Sequence, residues 1–259
     1  MIRQRPPVAR LAIRLAKRFV QGTWLEEPAK RAHYALTGRK NSLYDALTIA
    51  VMRRALLPDS NAIDVGAFEG GMLKHIVRLA PLGSHIAFEP LPPRYEQLRR
   101  SFPRVRVHPY ALGERPGEVT FQHVVRYPAL SGLRRRIDLD PSEEVREERV
   151  TVETLDRVVP AGFPIALVKV DVEGGELGVF RGGVETLRRT RPIILFECGL
   201  GGADSYGAEP EAIFDLVTGP IGLRVSLLEA WLEGRDPLTR AEFAERFRKS
   251  LDFFFIAHP

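Results

Sequence analysis

Cys198 is the single cysteine in 259 residues. No intrachain disulfide or multi-cysteine metal centre can form, and nothing calls for an oxidising compartment. No apolar run approaches the roughly 18 residues a membrane-crossing helix needs. Charges also interrupt "MIRQRPPVARLAIRLAKRFV" where a signal peptide would be apolar. There is no internal repeat, no low-complexity tract and no G-x-G-x-x-G fingerprint. A cytoplasmic protein without a transmembrane segment is the expectation.

Acidic residues are missing from the first stretch as well. Arg3, Arg5, Arg10, Arg14, Lys17 and Arg18 stand there without a counter-charge, and in the rest of the chain basic residues nearly balance the acidic ones. Read as a helix from Val8, this segment places Val8, Leu11, Leu15 and Phe19 along one side. It can rest on an anionic membrane as a peripheral contact, bind an acidic partner, or pack on its own domain. The balanced body has no basic groove interleaved with aromatics, so no nucleic-acid partner is expected. A homo-oligomer is compatible with the sequence.

What is present is regular. With 44% hydrophobic and 27% charged residues, the chain can build a substantial core. Apolar spacing is helical before Asn61, as in "YDALTIAVMRRALL", which reads as a helical extension over 1–58. From 59 to 259 strands and helices alternate: "NAIDV", "GGMLKHIVRLA", "SHIAFEP", "PPRYEQLRRSF", then "VRVHPYAL" as a third strand. After an aperiodic stretch at about 122–150, read as an inserted loop, hairpin or lid, the pattern resumes with "IALVKVD". A helix over 174–189, "PIILFE", a helix near 209–218, "LRVSLLE", a charged helix and "DFFFIA" follow. The alternation predicts an α/β fold, a doubly wound, mostly parallel seven-stranded sheet ending in an antiparallel hairpin.

Four predicted strands run into acids: Asp64, Glu89, Asp171 and Glu197. In a doubly wound sheet the strand C-termini line one edge, where ligands bind. The first turn, "DVGAFEGG", allows close backbone approach, but Asp64 before Gly66 would repel a pyrophosphate. A cationic cofactor without phosphate, S-adenosylmethionine, suits it better. Glu89 is placed to accept from two ribose hydroxyls.

Six blocks in order, "DVGAFEG", "AFEPLP", "ALGERPGEVTF", "VTVETLD", "VKVDVEGGELGVFRGG" and "RPIILFE", resemble the FkbM family of S-adenosylmethionine-dependent class I methyltransferases. The resemblance implies a Rossmann-like fold and cofactor contacts at Asp64, Gly66, Ala67, Phe68, Gly70, Glu89, Pro90, Ala111, Leu112 and Asp171. Phe68 departs from the family's first turn, which carries an Asn there. The implied reaction is methyl transfer to a hydroxyl of a small molecule such as a sugar, polyketide or other natural-product scaffold. An RNA or protein methyltransferase and an inactive cofactor-binding module are the alternatives.

Asp171, at a strand end beside the expected methyl, is the candidate base or acceptor-orienting group. Strand alternation puts Lys169 on its side, either to position it or as a neutralised buried lysine. Glu197 and Glu173 complete the candidate catalytic set. Asp171 and Glu197 can jointly hold a hard divalent ion such as Mg2+. Glu176 reads as an acid starting a helix, and Glu173 admits the same reading.

Overall fold

The computed structural model describes residues 40–136 and 139–259; the basic segment 1–20 lies outside them. The chain divides into two compact units, 1–48 and 49–259. The division falls within helix α1 (Lys40–Ala55), upstream of the boundary expected after residue 58. Among the described residues no helix is long and apolar enough to cross a membrane.

The second unit follows the expected alternation. Strand β1 (Ala62–Val65), helix α2 (Leu73–Leu79), β2 (Ile86–Phe88), α3 (Pro92–Ser101) and β3 (Arg106–His108) come first. Pro92 and Pro93 open α3, where a missing N–H costs no intrahelical bond. Then come β4 (Tyr110–Leu112), β5 (Gly117–Val124), a 3-10 turn (Pro128–Leu130), β6 (Val145–Glu153), α4 (Leu155–Val158) and β7 (Leu167–Val170). Helices α5 (Glu176–Arg181) and α6 (Val184–Thr190) lead into β8 (Ile193–Glu197). A second 3-10 turn (Ala203–Tyr206), α7 (Pro210–Thr218), β9 (Arg224–Leu227), α8 (Leu228–Leu232), α9 (Arg240–Arg248) and β10 (Phe254–His258) complete the chain.

Among the described residues the main sheet has seven strands in the order β3-β2-β1-β7-β8-β10-β9. The first five are mutually parallel, and β10 runs antiparallel between β8 and β9. The sheet thus ends in the expected antiparallel pair, β9 and β10, with the last strand the inner of the two. All five of its residues are buried, as an interior position requires.

Register decides which side chains share a face. Ile63, Val65, Val168, Val170, Ile194 and Phe196 look into a core covered by α5, α6, α7 and α9. Phe180, Phe196, Phe243 and Phe255 interlock there, with ring centroids 4.7 Å apart for Phe243 and Phe255 and 5.4 Å for Phe180 and Phe196. Truncating one such ring to alanine costs about 3–5 kcal/mol. Ala87 faces the other layer, against Leu73 of α2 and Leu98 of α3. Asp64 stands opposite both Ala87 and Lys169 in register and therefore shares that second face.

Three elements depart from the sequence reading. "VRVHPYAL" divides at Pro109: β3 stays in the main sheet, while β4 pairs with β6 in a separate three-stranded sheet. The single helix expected over 174–189 breaks at Gly182-Gly183 into α5 and α6. A Cβ on Gly182 would stand 2.0 Å from the Gly113 carbonyl oxygen, so the break lets the β4–β5 turn press on the backbone. "LRVSLLE" begins as β9 and ends as α8. The 122–150 segment comprises the distal halves of the antiparallel β5 and β6 and the loop joining them.

Candidate active site

The turn after β1 and the turn after β7 meet backbone to backbone. Gly66 has φ 75°, and a Cβ there would lie 1.9 Å from the Asp171 carbonyl oxygen. The Gly66 and Ala67 N–H groups donate to Phe88 O at 3.1 and 3.0 Å, and Asp171 N–H donates to Val65 O at 3.1 Å. Three strand ends are thereby locked around one cleft.

That cleft brings together Gly66, Phe68, Glu89, Pro90, Ala111 and Leu112 with Asp171 and Glu173. Both carboxylate oxygens of Glu89 are held by main chain: Oε2 accepts from Phe68 N and Oε1 from Leu91 N, each at 3.0 Å. Glu89 is 4% exposed, and burial pushes its carboxyl up to about 7 against those two hydrogen bonds. Each oxygen keeps a further lone-pair direction for a ligand hydroxyl. At Phe68 the side-chain amide expected from the family is absent, and the residue contributes its N–H instead. Its backbone is left-handed (φ 50°), and its ring carries the Arg94 guanidinium 4.7 Å above its centre.

Not every expected cofactor residue lines the cleft. Ala67 is buried in the core layer with Leu73 and Leu98. Gly70 (φ 79°) makes room for Phe102, whose ring lies 2.4 Å from where a Cβ would stand. Asp64 is the third residue of β1, one short of its end, and is 1% exposed. Burial raises its pKa, opposed by Lys169, and among the described residues neither carboxylate oxygen has a hydrogen-bond partner.

Lys169 lies between two acids, its Nζ 3.1 Å from Asp171 Oδ2 and 3.5 Å from Asp64 Oδ1. Burial alone would lower its pKa, but the two carboxylates outweigh that and hold it above the ordinary lysine range. At 5% exposure it lies within the sheet and not on the cleft wall.

Beyond the strand ends, Asp171, Glu173 and Glu197 each offer an oxygen within 4.8 Å of the others. Burial, then the neighbouring Asp171, Glu173 and Glu176, push the Glu197 carboxyl well above the ordinary carboxylate range. Burial and Asp171 push Glu173 up to about 7, opposed by Arg136.

Several participants carry no periodic signal in the sequence. Pro128, Ala129, Ser131 and Leu133 of the β5–β6 loop also line the cleft. Arg136 NH1 reaches Glu173 Oε2 at 2.5 Å, and Arg134 N–H donates to the Tyr206 hydroxyl at 3.1 Å. The insertion therefore both lines the cleft and pairs with Glu173. The run of three arginines at 134–136 is the trace it leaves in the sequence.

A parallel sheet with one antiparallel strand inserted before its edge, a glycine turn after β1 and an acid after β2 define a methyltransferase of the Rossmann-like class. The chain belongs to the FkbM methyltransferase family: residues 64–216, more than half its length, match the family described as "Methyltransferase FkbM domain". Class I membership implies S-adenosylmethionine as the methyl donor. The 2-O-methyltransferase NoeI of Sinorhizobium fredii (strain NBRC 101917 / NGR234) is 28% identical over 157 residues, covering 52% of this chain and 62% of NoeI. The match thus takes in less than two thirds of that relative. The crystal structure of methyltransferase FkbM from Methylobacillus flagellatus KT superposes with a TM-score of 0.50 at 14% identity. It covers 78% of this chain and 44% of that one, a likeness of fold.

Proposed function

We propose that this methyltransferase acts on a hydroxyl oxygen of a small molecule, a sugar, polyketide or similar scaffold, with S-adenosylmethionine seated against Gly66, Phe68, Glu89, Ala111 and Leu112. The observation that carries the reading is the shared wall: Asp171, held by Lys169, lines the same cleft as the doubly anchored Glu89. The name of NoeI supports oxygen as the acceptor atom.

In the reaction the acceptor oxygen attacks the methyl carbon in line with the departing sulfur. The C–S bond breaks, its electron pair stays on a neutral thioether, and the new O–C bond forms. Asp171 takes the hydroxyl proton, and Lys169 keeps its carboxylate oriented toward the cleft. Glu197, and Glu173 paired with Arg136, shape the acceptor side. The oxygens of Asp171, Glu173 and Glu197 are the donors a hard divalent cation would use; it would have to displace any proton on Glu197 and the Arg136 guanidinium from Glu173, and bound there it would supply Lewis acidity toward the acceptor hydroxyl. The cytoplasm is the proposed setting.

Calorimetry with S-adenosylmethionine and S-adenosylhomocysteine tests the cofactor, and absence of binding by both defeats the proposal. A methyl-transfer screen over glycosides, polyketides and RNA, with magnesium and with chelator, tests acceptor class and metal. On the acceptor so found, Asp171→Asn is expected to lower kcat about 100-fold or more. Full turnover by that variant removes Asp171 from its role.

A further inference from the structure

Glu176 is the first residue of the six-residue helix α5, where an acid would ordinarily face the helix N-terminus from solvent. Instead it is 1% exposed. Its Oε1 reaches back out of the helix and accepts from Val172 N at 3.1 Å and from Gly174 N at 3.2 Å. These two amides belong to the turn that joins β7 to α5, the turn that carries Asp171 and Glu173.

We propose that Glu176 is a positioning residue, whose carboxyl group fixes the 171–175 turn in the shape that presents Asp171 and Glu173 to the cleft. The proposal rests on the catalytic reading of Asp171 above and adds what holds that group in place.

The turn needs such a hold because its backbone is costly. Glu173 is left-handed with φ 57°, a conformation that a residue with a side chain adopts only when its surroundings impose it. Gly174 has φ 105°, and a Cβ there would lie 2.3 Å from the Gly202 backbone. On its other flank the turn bears on Gly66, through the Asp171 carbonyl. The turn is therefore gripped between the cofactor loop and the loop after β8, and neither grip supplies an acceptor to the amides of residues 172 and 174. Glu176 supplies both with one oxygen. A relaxed turn would carry the carboxylate of Asp171 away from the methyl, and about 1 Å of misplacement is enough to lower a rate about 100-fold.

Acceptance is the property that matters here, so the amide of glutamine can replace the carboxyl while alanine cannot. Hydrogen exchange at the Val172 and Gly174 amides, followed by NMR on the full chain without cofactor, is the first measurement. Glu176→Ala is expected to speed exchange at both sites about tenfold while the core strand amide of Phe255 is unchanged, and Glu176→Gln to stay within about threefold of the parent. The second measurement is turnover on an acceptor from the screen. Glu176→Ala is expected to lower kcat about 100-fold with KM for S-adenosylmethionine within about threefold, and Glu176→Gln to restore kcat to within about fivefold.

A purely structural contribution would lower thermal stability without that split between kcat and KM and without rescue by glutamine. Should Glu176→Ala fail to fold, Glu176→Asp, one methylene too short to span both amides, takes its place with the same expectations. Unchanged exchange in the alanine or aspartate variant overturns the proposal, as does a glutamine variant no better than alanine. The exchange result needs no acceptor, so faster exchange in a protein that methylates nothing in the screen would locate the failure in the functional reading, not in the hold on the turn.

Discussion

Replacing Gly66 by alanine asks whether the cofactor loop and the turn of Asp171 are one rigid unit. The new Cβ would start 1.9 Å from the Asp171 carbonyl oxygen, with 3.4 Å to a Val172 side-chain carbon. Ordinary non-bonded contact lies near 3.5 Å, so the two backbones must separate by more than about 1 Å. The residue also has φ 75°, and an alanine held left-handed costs about 1–2 kcal/mol by itself. Neither backbone can yield freely: Gly66 and Ala67 are bonded to Phe88 O, and Asp171 N–H to Val65 O. Adding the separation of these three hydrogen bonds at about 1 kcal/mol each gives an expected loss of about 4–5 kcal/mol. Urea unfolding measures that loss. Calorimetry with S-adenosylhomocysteine should show affinity weakened at least about tenfold, and kcat on an identified acceptor should fall about 100-fold, since about 1 Å at the reacting groups is worth that much. Gly71→Ala is the control, because nothing lies within 4 Å of its added Cβ and its φ is not left-handed. It should leave stability within about 0.5 kcal/mol of the parent. If Gly66→Ala binds and turns over as Gly71→Ala does, the contact between the two turns does not organise the site.

Three further outcomes follow from the geometry. Glu89 is held up to about 7 chiefly by burial, and its ionised form is the better acceptor for ribose hydroxyls, so affinity for S-adenosylhomocysteine should fall as pH drops from 8 to 6; an affinity flat across that range would argue that Glu89 does not hold the ribose. Arg136→Ala frees Glu173 from its ion pair and loosens the loop whose Leu133 and Ser131 line the cleft; release of S-adenosylhomocysteine in stopped flow should speed about tenfold, with faster proteolysis within 125–136, whereas unchanged release would mean the loop does not gate the cofactor. His85 accepts from Ala62 N–H through Nδ1 at 3.3 Å and pairs with Ala80 O through Nε2 at 2.9 Å, and burial depresses its pKa below 6.5. Its contribution is therefore complete above pH 6.5 and is lost as pH falls toward the folded value. His85→Ala should cost about 1–3 kcal/mol at pH 7.5 and less at pH 5 by urea midpoint, and an equal cost at both would show that the ring does not titrate in the fold.

Much of the architecture was legible because it is periodic. Apolar runs such as Ile193–Phe196 and the prolines at 92 and 93 mark element types without reference to the rest of the chain. Asp171 and Glu89 were found at strand ends for the same reason. Position within a strand was less legible: Asp64 looked like an end residue, but β1 continues to Val65, and the acid is sealed inside the second layer beside Lys169. Glu176 does start a helix, as the local rule for acids there reads it, but its burial and its bonds to the turn amides come from the turn folding back onto it and have no local signal. Pro109 and the pair Gly182-Gly183 were visible as residues, but what they accommodate, a change of sheet and the pressing turn at Gly113, depends on distant chain.

The sequence by itself determined the order and kind of elements, the acids at the C-terminal edge and, through its blocks, the methyltransferase family. Tertiary structure alone decided the contacts among them, because register, sheet order and loop closure join residues far apart in the chain. It set Lys169 opposite Asp64 and beside Asp171, slid β10 between β8 and β9, and folded Arg136 down onto Glu173. A carboxyl group's chemistry follows from what surrounds it, and here Glu173 meets Arg136 while Glu176 meets the turn amides of Val172 and Gly174, although the chain spells both with the same letter.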